Sequence, residues 1–375
     1  MSDNSSIEWT GKTWNFLIGC DKVSAGCKNC YAIHTAWIRL HNPLMAGIFD
    51  GTVEKTASGA RNWTGQINVI EDRMLLPFSW KKPDFVFVNS MSDLFHESVP
   101  DAVLDRAFAV MALTDHTYQV LTKRAKRMEA YFAKPCTIAN IMHEMDKVLF
   151  GKKSGAILKK AFHAKAQMLE GGAIPNVWLG VSVEDQKAAD ARIPHLLRTP
   201  AAVRFLSCEP LLGPVDVSRW LKIDWQCSGC RGYFGGDYNE ACPDCGRTGY
   251  WCGSHKFNAR KMPEGRLFPY QAGIAIDWVI CGGESGPGAR PMHPDWARTL
   301  RDQCAAAGVD FFFKQWGNWA ERDFRAARRK HTFTAHPGQA YCDMYNVGKK
   351  VAGRRLDGVE HNAMPAAYHI KSATA

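Results

Sequence analysis

Three cysteines stand close together in GCDKVSAGCKNCYA: Cys20, Cys27 and Cys30, spaced C-x6-C-x2-C. Thiolates are the usual ligands of iron–sulfur clusters, and three in one loop can hold three corners of a [4Fe–4S] cluster. The fourth iron is then open to a small molecule, as the open position of a catalytic zinc is. A closed zinc site wants four protein ligands, and His34 could complete one here. A second set reads CSGC, eleven residues, then CPDC, so that Cys227 and Cys230 join Cys242 and Cys245. Two C-x2-C knuckles match a four-thiolate zinc ribbon. A second iron–sulfur cluster and an unmetallated loop are the alternatives, with Cys252 and His255 as spare ligands. Zinc there would staple a segment that lacks its own core. The other five cysteines, Cys136, Cys208, Cys281, Cys304 and Cys342, are scattered and read as small core residues.

Further polar groups follow apolar runs. In GGESG, Gly282 and Gly283 let a ligand approach the backbone, and Glu284 can hold an ammonium; a tight turn with a surface Glu is the plainer reading. Ser92, Asp93 and His96, Glu184 and Asp185, Glu209, and Lys314 and Gln315 also end such runs and could orient a base or an amino acid. Asp93 and Asp185 suit a helix N-cap equally well. Lys123 and Arg124 could hold phosphate or simply open a solvated helix.

The elements that must carry these groups are short apolar runs alternating with amphipathic ones. Strands are expected at Phe16–Gly19, Phe85–Ser90, Thr117–Thr122, Val177–Val183, Ala202–Cys208, Asp277–Gly283 and Asp310–Gln315. Near-continuous apolarity marks strands buried on both faces, as in a parallel sheet. Helices are expected at Pro100–Leu113, Asp185–Leu197 and Pro294–Ala307, the last stopped by Gly308. This alternation implies a wound sheet or a full or incomplete parallel β/α (TIM-like) barrel, whose chemistry sits at the C-terminal mouth. Two stretches interrupt it: a helical, basic insertion over about 125–172 with Lys152, Lys153, Lys159 and Lys160, and the cysteine-rich segment 224–256. The barrel is thus expected over 1–223 and 257–320, with a basic extension over 321–375.

The chain has 375 residues, 46% hydrophobic and 22% charged, which excludes general disorder and fibrous classes. Its net charge of +10 favours polyanionic partners such as nucleic acid, or is a solvated surface. No apolar run is long enough to span a bilayer, and MSDNSSIEWT lacks a secretory pattern. The expectation is a cytoplasmic protein without membrane contact, whose clustered cysteines bind metal.

A three-cysteine loop after the first strand of a β/α barrel resembles the radical S-adenosylmethionine (SAM) enzymes. In them the open iron chelates the amino and carboxylate groups of SAM, and an electron from the cluster cleaves SAM to a 5′-deoxyadenosyl radical. The common spacing there is C-x3-C-x2-C. This chain has six residues in the first gap, with Asn29 where an aromatic often precedes the last cysteine, and Tyr31 after it. The chain resembles more closely a family of phage and prophage proteins long of unknown function. The resemblance rests on TWNFLIGCDKVSAGCKNCYA, FVNSMSDLFHE, VWLGVSVED, RFLSCEPLLGPVD, DWVICGGESGPGARPMHPDWARTLRDQC and FFFKQWG, from Thr13 to about Trp319.

The resemblance implies a [4Fe–4S] cluster on Cys20, Cys27 and Cys30. It implies SAM held with the help of Gly282, Gly283, Glu284 and Tyr31, and an electron donor as partner. It also implies an isomerase of thymidine hypermodification in the host cytoplasm. Such an enzyme moves a glycine substituent of thymine from nitrogen to carbon attachment on phage DNA or a modified nucleotide, a DNA modification that evades restriction. The rival readings are another radical SAM reaction on nucleic acid, by repair or methyl transfer, and a non-enzymatic zinc-binding nucleic-acid module.

Overall fold

Seven short strands line up in chain order in the computed structural model. They are β1 (Lys12–Trp14), β2 (Phe85–Val88), β3 (Thr117–Thr122), β4 (Val177–Ser182), β5 (Val203–Cys208), β6 (Trp278–Gly282) and β7 (Asp310–Gln315). All six pairings are parallel. The structure describes residues 5, 7–150, 172–221, 225–227, 233–234, 251–253, 275–321, 327, 329–335 and 340–365.

Parallel neighbours need crossover connections. Helices supply most of them: α2 (Asp101–Leu113), α3 (Ala125–Phe132), α4 (Thr137–Phe150), α5 (Gln186–Arg198) and α6 (Pro294–Ala307), with α1 (Tyr31–Leu40) following the cysteine loop. Sequential parallel order curls the sheet into a half-barrel. Among the described residues β7 does not pair with β1, so the barrel is the incomplete of the two forms expected.

Each face of the sheet has its own core. Val86, Val88, Tyr118, Val120, Leu179, Val181, Leu206 and Cys281 pack outward against the helices. Phe85, Phe87, Trp178, Phe205, Trp278, Ile280 and Phe312 pack inward around Trp9. Strands buried on both faces read as continuous apolar runs, which is why β2 to β7 are visible in the sequence. β1 is different. The expected strand at Phe16–Gly19 is not in this sheet; Lys12–Trp14 takes the edge, and Leu17–Ile18 pairs antiparallel with Asn68–Val69. Only Trp14 of KTW is fully buried, so this segment carries no continuous apolar run.

The three expected helices lie where the periodicity put them, and Gly308 ends α6 at φ 69°. α3 and α4 fall within the segment expected as a basic insertion, yet α4 packs on α2 and α3 on α5. Lys152, Lys153, Lys159 and Lys160 lie outside the described residues. Of the scattered cysteines, Cys208, Cys281 and Cys304 are buried, Cys342 is half-buried and Cys136 is exposed. The C-terminal extension returns to β7, where Phe312 bridges Asn362 and Phe313 N donates to His361 O at 3.0 Å. No helix among the described residues is long and apolar enough to cross a membrane.

Candidate functional site

Strand geometry sets the mouth of the half-barrel. Side chains alternate between faces, so continuing the inward series from Phe87, Trp178, Phe205, Trp278 and Phe312 leads to Asn89, Glu184, Glu209, Glu284 and Lys314. An aromatic floor therefore gives way to a polar tier at the C-terminal strand ends. Gly180 makes room in between, since a Cβ there would lie 2.5 Å from the Phe205 ring.

The cysteine loop leaves Leu17–Ile18 and crosses this tier. Cys20, Cys27 and Cys30 are free and half-buried. Each is tied near a different strand end. Beside Cys20, Arg124 after β3 places Nη1 3.9 Å from the sulfur and also bonds Asp21. Beside Cys27, Ser24 Oγ donates to Glu184 after β4 at 2.7 Å and lies 3.8 Å from the Cys27 sulfur. Gly26 fits against the same carboxylate, because a Cβ would meet Glu184 Cγ at 2.5 Å. Beside Cys30, Asn29 Nδ2 donates to Glu284 after β6 at 2.9 Å and to Gly288 O at 2.9 Å. The position where this chain departs from the aromatic found in radical SAM loops is thus a loop anchor.

Burial pushes the Cys20 thiol up to about 12, with Asp93 adding to the rise and Arg124 opposing it. Burial also raises Cys30, and the neighbouring Cys27 charge raises it further. His34, the alternative fourth ligand, is exposed and meets Arg61 at 2.5 Å instead. Among the described residues, the metal-type group with ligand atoms within 4.8 Å of one another is Asp21, His96 and Glu97, not the three cysteines. Ligands on one tetrahedral zinc converge more closely than that, whereas thiolates on different irons of one cluster stand apart. Three thiolates in one loop are the donor type of iron–sulfur clusters.

The three mouth carboxylates differ in what they already hold. Glu184 is 1% exposed and accepts from Lys123 Nζ at 2.5 Å, Arg192 Nη1 at 2.7 Å and Ser24. Burial alone would raise its pKa; Lys123 and Arg192 overcome that and hold it at about 2. Glu284 is buried under a bidentate Arg290, with contacts of 2.8 and 2.6 Å, plus the Arg290 backbone N–H and Asn29. Those donors outweigh burial and lower its pKa. Glu284 thus meets the cysteine loop through Asn29, with its carboxylate already clamped by Arg290. Gly283 is required by packing, since a Cβ would meet Trp316 O at 2.1 Å.

Glu209 is the most exposed of the three. Its side chain is 18% exposed, receives Lys314 Nζ at 2.9 Å and Gln315 Nε2 at 3.2 Å, and borders Gly282, whose Cβ would sit 3.3 Å from Oε1. Tyr31 donates its hydroxyl to Ser90 O at 3.0 Å. Tyr31 is 58% exposed.

Several plainer readings hold. Asp185 caps α5 by accepting from Ala188 N at 2.8 Å. Asp93 does not cap a helix; it gathers Thr122 Oγ1, Lys123 N, Phe95 N and Arg124. Lys123 and Arg124 line a cavity of about 290 Å³ with Lys126, Arg127, Arg192 and His195. Carboxylates pair with Lys123, Arg124, Arg127, Arg192 and His195 there. Cys230, Cys242 and Cys245 lie outside the described residues; Cys227 ends Trp225–Cys227, the central strand of a three-stranded antiparallel sheet. Ser24, Arg192 and Arg290 had no sequence signal, because their roles depend on partners reached only through the fold.

The family described as protein of unknown function (DUF5131) matches residues 4–365. No curated protein and no solved structure matches the chain.

Proposed function

The chain belongs to the DUF5131 family of unknown function, and from that premise we propose that it is a radical SAM enzyme acting on nucleic acid. The observation that carries the reading is the cysteine loop at the mouth of a parallel half-barrel, with each cysteine tied near a different strand end. A [4Fe–4S] cluster on Cys20, Cys27 and Cys30 with SAM on its open iron would supply one-electron chemistry and hydrogen-atom abstraction from an unactivated carbon. The chain's own residues have distinct parts. Arg124, Glu184 and Glu284 hold the loop. Glu209, bordered by Gly282, takes the ammonium group that the sequence assigned to Glu284. Lys314 balances its charge, and Tyr31 walls the mouth.

The reaction proposed is isomerisation of a glycine-bearing thymine in phage DNA, from nitrogen to carbon attachment, with a separate electron donor. It rests on the family resemblance, and the net charge of +10 suits a polyanionic substrate. Zinc on Cys227, Cys230, Cys242 and Cys245 is proposed as a structural staple.

Anaerobic purification tests the class. Brown protein containing iron and sulfide, lost in Cys20→Ala, Cys27→Ala and Cys30→Ala, is expected. Colourless wild-type protein holding only zinc overturns it. In SAM-binding measurements on the loaded protein, Glu209→Gln should weaken affinity by tenfold or more, the loss of one charge-assisted bond. Equal affinity in Glu209→Gln would remove that residue from the SAM pocket. Mass spectrometry of nucleosides from phage DNA, with and without this gene, tests the substrate.

A further inference from the structure

Arg124 is buried far more elaborately than loop anchoring requires. Its side chain is 4% exposed. Nε donates to Glu97 Oε2 at 2.7 Å, Nη1 to Asp93 Oδ2 at 3.1 Å, and Nη2 bonds Asp21. Asp93 is itself pinned by Thr122 Oγ1 at 2.7 Å and by two backbone N–H groups. A planar guanidinium held on three sides cannot turn away. What remains of Nη1 points at the Cys20 sulfur, 3.9 Å off. Asp21 also lies 3.0 Å from His96 Nε2, and Arg124 bonds all three carboxylates, Asp21, Asp93 and Glu97, beside this cysteine.

We propose that Arg124 is a positioning residue that raises the reduction potential of a cluster bound through Cys20. The inference rests on reading Cys20 as a cluster ligand. Reduction adds one electron, supplied by a low-potential donor, and hence one negative charge. A cation and an N–H···S bond at the ligating sulfur favour that more negative state. Asp21, Asp93 and Glu97 act oppositely, and Arg124 offsets them.

The test is a potentiometric titration of the anaerobically reconstituted full chain, followed by the electron paramagnetic resonance of the reduced cluster. Arg124→Gln should move the midpoint to more negative potential, with Arg124→Lys lying between it and wild type. Asp93→Asn should move the midpoint the other way, a sign reversal that loss of packing alone does not produce. Coincident midpoints in proteins with equal iron content, or shifts of one sign in all variants, overturn the role. A wild-type chain that takes up no iron fails the reading of the cysteine loop itself, and this assignment with it.

Discussion

Glu184 shows how one side chain can set the shape of the mouth. It is buried and answers two cations and a hydroxyl drawn from three separate segments. Replacing it by Gln leaves Lys123 and Arg192 facing each other without a counter-charge. Breaking a buried ion pair from one side costs about 3–5 kcal/mol, and urea denaturation of Glu184→Gln should show a loss of that order. The pH dependence follows from the sign of the shift. Glu184 titrates at about 2 in the folded chain against an ordinary 4.5. Its stabilisation is therefore complete above the ordinary value and is lost as pH falls through about 2. Wild-type stability should decline across that window more steeply than that of the Gln variant; parallel curves would contradict the network. The sequence marked Glu184 as a strand-end group but could not say what it meets. Ser24 is 160 residues away and Asn29 lies 255 residues from Glu284. Nothing local encodes such pairs.

The strands are a different case, because burial on two faces leaves a local mark. Six runs were legible as apolar segments, while β1 was not, since two of its three residues are only half-buried. Gly180 in β4 is a finer instance. In the fold it is the space that the Phe205 ring occupies. Adding a methyl group there forces the ring or the strand to move, and overpacking of this kind costs about 1–3 kcal/mol. Gly180→Ala should be destabilised by that amount in thermal or urea unfolding. Phe205→Leu in the same chain should recover part of the loss, because the two residues share one space and their effects cannot simply add. Strict additivity in that double-mutant cycle would show that the contact is not where the strain arises.

At the scale of the whole molecule, a half-barrel has an open side and a lumen that must be filled. Both ends of the chain do this. From the N-terminal side, Trp9 inserts among Phe87, Phe205 and Trp278, with ring centroids 5.0, 6.3 and 6.1 Å away. Gln119 donates to its carbonyl at 3.2 Å. From the C-terminal side, residues 361–363 lie along β7, and Trp278 Nε1 donates to Ala363 O at 2.9 Å. Glu8 links the two ends through Lys349 at 3.0 Å. The segment before the first strand was read only for the absence of a secretory pattern, and its role as a plug was invisible. A lone Trp ahead of a strand has no period, and its partners lie on β2, β5 and β6. Deleting a buried aromatic leaves a cavity that costs about 3–5 kcal/mol. Trp9→Ala should lose stability of that size, while Trp9→Phe, which keeps a ring against Phe87, should lose much less. The floor lies at the N-terminal ends of the strands and the cysteine loop at their C-terminal ends. With a cluster bound as proposed, iron uptake by Trp9→Ala measured well below its unfolding temperature should therefore match wild type. A variant that unfolds as expected but also fails to load iron would show that floor and mouth are coupled.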